Sequence, residues 1–251
     1  MGVPALQRAT SRARTLLQGR LSCFNVALSL VGNKSGIEIG GPSAVFRHWY
    51  GPLPIYKHIA ALDNCVFSQK TVWENHSNSY IFSAGKAPGN NIICDGSDMS
   101  IVADNSYDFV LSSHNLEHFA NPVKALKEWQ RVTRPGGGLV LVLPDGAYTF
   151  DHRRQPTQVS HMLEDYERDT QEDDLAHLPE ILQLHDLSMD PPAGTVEEFR
   201  QRSLKNFENR CLHHHVFSEA NSSALLTELG MTVLAVQTAV PHHIFLLARM
   251  P

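Results

Sequence analysis

The sequence has 251 residues, of which 42% are hydrophobic and 19% charged, as in a folded globular domain. A formal net charge of −5 argues against nucleic acid as the main partner, because phosphate binding requires a basic face. No uncharged apolar run of about 18 residues occurs, so no transmembrane segment is predicted.

The compartment is indicated by the cysteines and by the beginning of the sequence. The four cysteines form no CxxC pair, which predicts reduced thiols and a cytoplasmic protein. The first acidic residue is Glu38, and five basic residues precede it. We interpret this stretch as a basic helix covering one edge of the domain; an organellar transit peptide or a membrane-surface helix is the alternative.

Strand candidates alternate with helical stretches, which predicts a mostly parallel sheet covered on both faces. After Pro122, a residue that the first turn of a helix tolerates, apolar residues follow helical spacing as far as Trp129. The last two strands flank Pro241 and are close enough to pair antiparallel. The seven predicted strands are 35–40, 58–67 (ending near Asp63), 90–96, 107–113, 139–144, 231–240 and 242–250.

Residues 146–216 interrupt this alternation with a polar segment that is rich in histidine and acidic residues. Its pattern is mostly helical, and Thr195 followed by Glu198 predicts a capping box. Open α/β folds bind ligands at the carboxyl ends of their strands. We therefore predict a single domain over 1–251, with 146–216 as a helical insert after the fifth strand that covers the active site.

The turn "GIEIGGPS" (36–43) follows the first strand. Gly40 and Gly41 have no Cβ, so the backbone can bend sharply and approach a ligand closely. The order G-G-P-S lacks the G-x-G-x-x-G fingerprint of dinucleotide sites, and Pro42 removes an N–H donor from the turn. The turn therefore favours a ligand without phosphate, such as S-adenosylmethionine, whose amino group Glu38 could bind.

Two further acidic residues have the spacing of a nucleoside site. Asp63 lies 23 residues after Gly40, near the distance at which an acidic residue binds ribose hydroxyls. Asp95 lies at the end of the third strand, where its carboxylate can accept from an adenine amino group.

The stretches "GIEIGG" and "CDGSDMSIVADNSYDFVLSSHNLEHFANPVKALKEWQRVTRPGGGLVLVLPD" together resemble the class I S-adenosylmethionine-dependent methyltransferases, the type 11 group in particular. This resemblance covers about residues 36–145 and implies a Rossmann-like seven-stranded sheet with an antiparallel last strand. It also implies methyl transfer from S-adenosylmethionine. The sequence departs from the family at Pro42–Ser43 and between Asp63 and Asn90. The predicted cofactor-binding set is Glu38, Gly40, Gly41, Asp63, Asp95, Gly96 and Ser112.

Histidines are the candidate catalytic residues, because the imidazole pKa suits removal of a hydroxyl proton. The chain has 14 of them. His114 directly follows the fourth strand, His152 begins the insert, and His214 lies in "LHHHVF" (212–217). His118 belongs to the "LEH" pattern, and the resemblance implies that such a residue braces its loop as often as it reacts. In an extended strand His213 and His215 would share the face opposite His214.

A divalent metal bound near Asp145, Asp151 and His152 is an alternative, but no tight ligand motif exists and no metal ligand is assigned. The polar insert favours a small-molecule or glycan acceptor, with a sugar hydroxyl as the specific expectation. Two rival functions stay open. One is a methyltransferase fold repurposed for other chemistry or for cofactor binding alone, and the other is a nicotinamide-dependent oxidoreductase.

Overall fold

The computed structural model describes residues 21–47, 51–72, 75 and 77–251. The basic helix or transit peptide predicted at the beginning of the sequence lies almost wholly outside these residues. No helix among the described residues is both long enough and apolar enough to cross a membrane. All four cysteines are free thiols.

Eight strands in the described part of the chain form one sheet, with the order β3-β4-β2-β1-β5-β6-β8-β7. The pairs of β1, β2, β4, β5 and β6 are parallel, whereas β8 runs antiparallel to both β6 and β7. The strands are β1 Ser35–Ile39, β2 Ala61–Val66, β3 Ser79–Tyr80, β4 Gly89–Ile93, β5 Tyr107–Ser113, β6 Thr133–Pro144, β7 Thr232–Ala239 and β8 His243–Arg249.

The seven predicted strands are all present, and the predicted fold class is confirmed. The additional strand β3 pairs antiparallel with the edge strand β4. It lies in the stretch after Asp63 for which the resemblance gave no counterpart. One boundary was wrong: β2 continues to Val66 instead of ending near Asp63. Residues 64–66 are buried, so β2 continues inside the protein as far as Val66.

Helices cover both faces of the sheet. The described α-helices are α1 Phe24–Val31, α2 Pro122–Val132, α3 Val159–Glu167, α4 Leu178–Leu184, α5 Val196–Ser203, α6 Asn206–Asn209 and α7 Glu219–Glu228. Short 3₁₀ turns occupy Ala44–Phe46, Tyr56–His58, Leu116–His118, Gly146–Tyr148 and Pro191–Ala193.

The hydrophobic core is divided by the sheet. On one face Leu126 and Trp129 of α2 pack with Leu225 of α7, and on the other Phe24 of α1 packs against Phe109. Helix α2 begins as predicted, with Pro122 in its first turn and the Asn121 side chain accepting from the Lys124 N–H.

Helices α3 to α6 lie between β6 and α7, in the segment for which a helical pattern was predicted. The capping box of Thr195 and Glu198 at the start of α5 is confirmed. The segment has a small apolar cluster of its own, formed by Leu178, Ile181, Phe199 and Leu212 among others. Helix α3 of the segment also packs on the main core through the buried Met162.

Candidate active site

A pocket of about 610 Å³ opens at the carboxyl ends of β1, β2 and β5. One side consists of residues that follow β1, β2 and β4. The other side, as the term is used here, consists of residues that follow β5, together with residues from the segment between β6 and α7 and from the β7–β8 turn. The lining residues considered below are Gly40, Gly41, Phe67, Asp95, Gly96, His114, Glu117, His118, Arg210, His213 and His242.

The glycine turn is fixed to the neighbouring strand by its backbone. Gly40 donates to the Cys65 carbonyl at 2.9 Å, and Gly41 exchanges two hydrogen bonds with the Asn64 side chain at 2.8 and 3.0 Å. Gly40 has a φ of 73°, which a residue with a side chain adopts only at a cost. A Cβ on Gly41 would overlap the Tyr80 hydroxyl and lie 2.6 Å from Glu38 Oε2. Both glycines are therefore required by the turn.

Glu38 supports this turn from below and does not line the pocket. Its fully buried carboxylate accepts from the Ser43 hydroxyl at 2.6 Å and from the hydroxyls of Tyr56 and Tyr80. Burial raises the pKa of Glu38 and outweighs the opposing effect of these hydrogen bonds. The predicted contact of Glu38 with the cofactor is therefore corrected, because protein donors already occupy the carboxylate.

Asp63 also lies outside the pocket. It is in the middle of β2, where its carboxylate accepts from the Asn90 backbone N–H at 2.8 Å and from the Tyr107 hydroxyl at 2.9 Å. Its prediction as a ribose-binding residue depended on a strand ending near it, and the strand continues for three more residues. Phe67, the first residue after β2, lines the pocket instead.

Asp95 and Gly96 line the pocket as predicted, and their role in cofactor binding stays a prediction. Asp95 accepts from the Ser97 backbone N–H at 2.9 Å, and the Gly96 carbonyl accepts from Trp129 Nε1 at 3.0 Å. Ser112, by contrast, is fully buried within β5 and does not line the pocket, whereas the next residue, Ser113, does. Side chains alternate along a strand, so an error of one position reverses the side.

We expect Asp95→Ala to weaken binding of the methyl donor by about 1.5–3 kcal/mol, the range for hydrogen bonds to a charged group. Asp63→Ala should leave the donor affinity unchanged, since Asp63 lies outside the pocket. Calorimetric titration of both variants with S-adenosylmethionine measures the difference. Loss of affinity in Asp63→Ala alone would contradict this position of the pocket.

His114 lines the pocket, as predicted. Its backbone has a φ of 51°, and its Nε2 lies 2.8 Å from His243 Nδ1. Burial, followed by the charges of His243 and His242, lowers the pKa of His114 well below its ordinary value. His114 thus faces the pocket with a lowered pKa, and its catalytic role stays a prediction.

The other two predicted catalytic histidines do not face the pocket. His152 is half-exposed, with Nε2 3.7 Å from Asp186. His214 is 1% exposed, and its Nε2 lies 2.9 Å from the Asn206 side-chain amide. Residues 212–217 form no regular strand, so the expected alternation of faces does not apply, and both assignments are corrected.

Glu117 was not singled out from the sequence, and His118 and His213 were not among the assigned catalytic residues; all three line the pocket. One ligand-type atom from each lies within 4.8 Å of those of the other two. Glu117 is 1% exposed, and its Oε2 has no hydrogen-bond partner among the described residues. Burial raises the pKa of Glu117 to about 7, and burial with the charge of His213 lowers that of His118 to about 3.

His213 is oriented by a buried carboxylate. Its Nδ1 lies 2.6 Å from Asp151 Oδ2, and Arg154 holds Asp151 at 3.1 Å. Burial lowers the pKa of His213, but the charge and hydrogen bond of Asp151 outweigh it, so the net shift is upward. Arg154 also donates to the backbone carbonyls of His213 and His214. Arg154 therefore has a structural role.

Arg210 joins the two sides of the pocket. Its guanidinium lies 2.9 Å from Asp95 Oδ2 and 3.1 Å from Glu172 Oε2. It also stacks over the Phe67 ring, with its carbon 5.5 Å from the ring centre. The segment between β6 and α7 is therefore attached to the same carboxylate that was predicted to bind the adenine.

Residues 53–141 match the family model of a methyltransferase domain. A 40-residue stretch is 50% identical to the ubiquinone/menaquinone biosynthesis C-methyltransferase of Bdellovibrio bacteriovorus, covering 16% of this chain and 17% of that protein. The structure of an S-adenosylmethionine-dependent methyltransferase from Mesorhizobium loti is similar, with 12% identity, a TM-score of 0.53, and 90% and 95% of the two chains covered. The structure of an S-adenosylmethionine-dependent methyltransferase from Methanosarcina mazei has 13% identity and a TM-score of 0.49, with 91% of this chain and 98% of that chain covered.

The Mesorhizobium loti structure shares the fold, and the family model matches the segment that carries most of the strand ends of the pocket. With the antiparallel last strand, these findings show a methyltransferase-domain sequence over residues 53–141 on a fold consistent with the class I S-adenosylmethionine-dependent methyltransferases. The Mesorhizobium loti protein is named for its dependence on S-adenosylmethionine.

Proposed function

We propose that this chain transfers a methyl group from S-adenosylmethionine to a hydroxyl oxygen of a polar small molecule, with sugars and glycans as the first acceptor class to test. One observation carries the proposal. The pocket places a glycine turn and Asp95 on one side, and a buried group of Glu117, His118 and His213 on the other. The first side suits a nucleoside donor, and the second suits an acceptor whose hydroxyl must lose a proton.

The residues on the first side fit the cofactor. The glycine turn has no side chain that could obstruct a ligand. A Cβ at either glycine would collide with neighbouring groups, so the turn cannot accept a side chain. Asp95 is a partly exposed carboxylate, and Phe67 offers an aromatic face beside it. The family's acidic residue after the second strand has no counterpart here, so Asp95 is left as the carboxylate of this side. When bound, S-adenosylmethionine supplies a methyl group activated by the positive sulfur.

The segment between β6 and α7 supports the acceptor side. It contributes Tyr148, Phe150, Met189, Arg210 and His213 to the pocket lining. This mixture offers aromatic surface for a ring and polar atoms for hydroxyl groups. We therefore retain, as part of the proposal, the prediction that the segment covers the acceptor.

In the proposed reaction the acceptor oxygen forms a bond to the methyl carbon as the carbon–sulfur bond breaks. The electron pair of the broken bond returns to sulfur, which leaves as a neutral thioether, and the hydroxyl proton passes to the cluster side or to solvent. The chain's own contribution is to align the oxygen with the methyl group and to activate the hydroxyl. Glu117, His118 and His213 are positioned for that activation.

The test is an assay of labelled methyl transfer from S-adenosylmethionine into nucleotide sugars, glycans and small phenols, with analysis of the methylated atom. An O-methyl product supports the proposal. A product methylated at carbon would instead favour a reaction like that named for the Bdellovibrio bacteriovorus relative. Donor binding by calorimetry without transfer to any acceptor would favour a fold repurposed for cofactor binding.

A further inference from the structure

We propose that Glu117, His118 and His213 form a binding site for a divalent transition-metal ion at the acceptor side of the pocket. All three line the pocket, and one nitrogen or oxygen of each lies within 4.8 Å of those of the other two. Tetrahedral ligands at about 2.1 Å from a zinc ion are separated by about 3.4 Å. Small side-chain rotations therefore suffice to close the site around an ion.

The hydrogen bonds behind both histidines have the pattern that metal sites require. His118 Nδ1 lies 3.0 Å from the Leu212 carbonyl, which can only accept, so Nδ1 carries the proton. The other nitrogen, Nε2, lies 4.0 Å from Glu117 Oε1. His213 Nδ1 lies 2.6 Å from Asp151 Oδ2, which leaves its Nε2 as the coordinating atom. Metal-binding histidines characteristically donate their outer N–H to a carbonyl or carboxylate in this way.

Glu117 gives the second, independent observation. Its side chain is 1% exposed, and its Oε2 is a buried oxygen without a hydrogen-bond partner among the described residues. Burying a carboxylate oxygen is costly unless a partner compensates it. A cation between Glu117 and the two imidazoles supplies that partner; Glu117 Oε1 itself lies 4.0 Å from His118 Nε2 and 3.8 Å from His114 Nδ1.

The ligand set selects the class of ion. Two imidazoles and one carboxylate suit zinc, cobalt, manganese or iron(II), whereas magnesium and calcium prefer oxygen ligands alone. Three protein ligands leave at least one position open, as in catalytic metal sites. The next assignment rests on the proposed function. The open position takes the acceptor's hydroxyl oxygen, and the ion lowers the pKa of that hydroxyl.

A second group, His114, His242 and His243, satisfies the same distance criterion but is a weaker candidate. His114 Nε2 and His243 Nδ1 are already hydrogen-bonded to each other at 2.8 Å. The group also lacks a carboxylate, so it cannot balance the charge of a dication. It serves as the internal comparison for the experiment.

The experiment titrates cobalt(II) and zinc(II) into the chelator-treated full chain without donor or acceptor, by visible absorption and calorimetry. We expect one equivalent to bind to the wild type. Glu117→Gln and His213→Ala should each weaken binding by at least about 100-fold. Asp151→Asn, which changes only the orienting partner, should weaken it by about 10- to 100-fold. His242→Ala and the exposed-site control His152→Ala should bind like wild type.

Circular dichroism establishes that each variant is folded. If a variant of a metal-binding residue does not fold, Asp151→Asn still tests the proposal. Absence of stoichiometric binding to the wild type overturns the proposal. Binding that is insensitive to Glu117→Gln and His213→Ala, or that is lost in His242→Ala, overturns it as well. Because no donor or acceptor is present, these outcomes are independent of whether methyl transfer is found.

Discussion

The His213→Ala variant is expected to turn over about 10²- to 10⁴-fold more slowly than wild type, the range for loss of a group that moves a proton in the transition state. His213 lines the pocket and is oriented by Asp151 through a 2.6 Å hydrogen bond. Whether it acts directly or through a bound ion, its removal leaves the acceptor hydroxyl without activation. Initial rates at saturating donor and acceptor measure the effect.

His152→Ala is the matched comparison, because His152 is half-exposed and directed toward Asp186 outside the pocket. Substitutions at exposed positions usually change the free energy of unfolding by less than about 0.5 kcal/mol. Because His152 also lies outside the pocket, turnover should stay within roughly threefold of wild type. Calorimetry should show unchanged donor affinity in both variants. A large loss in His152→Ala with normal turnover in His213→Ala would reverse the assignment.

Gly41→Ala is expected to abolish donor binding at practical concentrations and to lower the free energy of unfolding by about 1–3 kcal/mol, the usual cost of overpacking. The added methyl group would overlap the Tyr80 hydroxyl and the Glu38 carboxyl group, both of which are buried. These two groups must move apart, and the turn that they support moves with them. Urea denaturation and calorimetric titration measure the two effects.

Gly85→Ala separates the two effects. Gly85 has a φ of 76°, yet a Cβ there meets no heavy atom within 4 Å. Alanine at this position should therefore cost about 1–2 kcal/mol of backbone strain while donor affinity stays normal. If both variants bound the donor equally well, the turn after β1 would not be the cofactor site.

The fold could be predicted because its signals are local. Continuous apolar runs such as 139–144 and the proline-initiated helix at Pro122 determine elements wherever they occur. The resemblance then supplied the seven-stranded sheet with its antiparallel last strand. The two-residue strand β3 carries no such signal, since pairing with β4 alone defines it.

The sequence predicted pocket-lining residues only where the position of the backbone alone brings a residue to the pocket. Gly40, Gly41, Asp95 and Gly96 follow strand ends and line the pocket. Ser112 does not line the pocket because side chains alternate along β5. Asp63 does not line it because β2 continues through residues 64–66, which are buried.

The acceptor side was not predictable in the same way. His213, His214 and His215 are consecutive but contact Asp151, Asn206 and Ala120 respectively, in a stretch without regular structure. No periodicity assigns such side chains. The acidic residue of the "LEH" stretch was the one available signal for Glu117, and it gains meaning only beside His213, 96 positions later.

The position of β8 has a consequence for synthesis of the chain. Although β8 is the last strand in sequence order, it lies between β6 and β7. A ribosome-bound chain that has not yet released His243–Arg249 therefore leaves the apolar strand β6 with one unpaired edge, a form prone to aggregation. His242, in the turn before this strand, also lines the pocket. The sheet and the pocket are thus completed together, once this turn and strand have emerged.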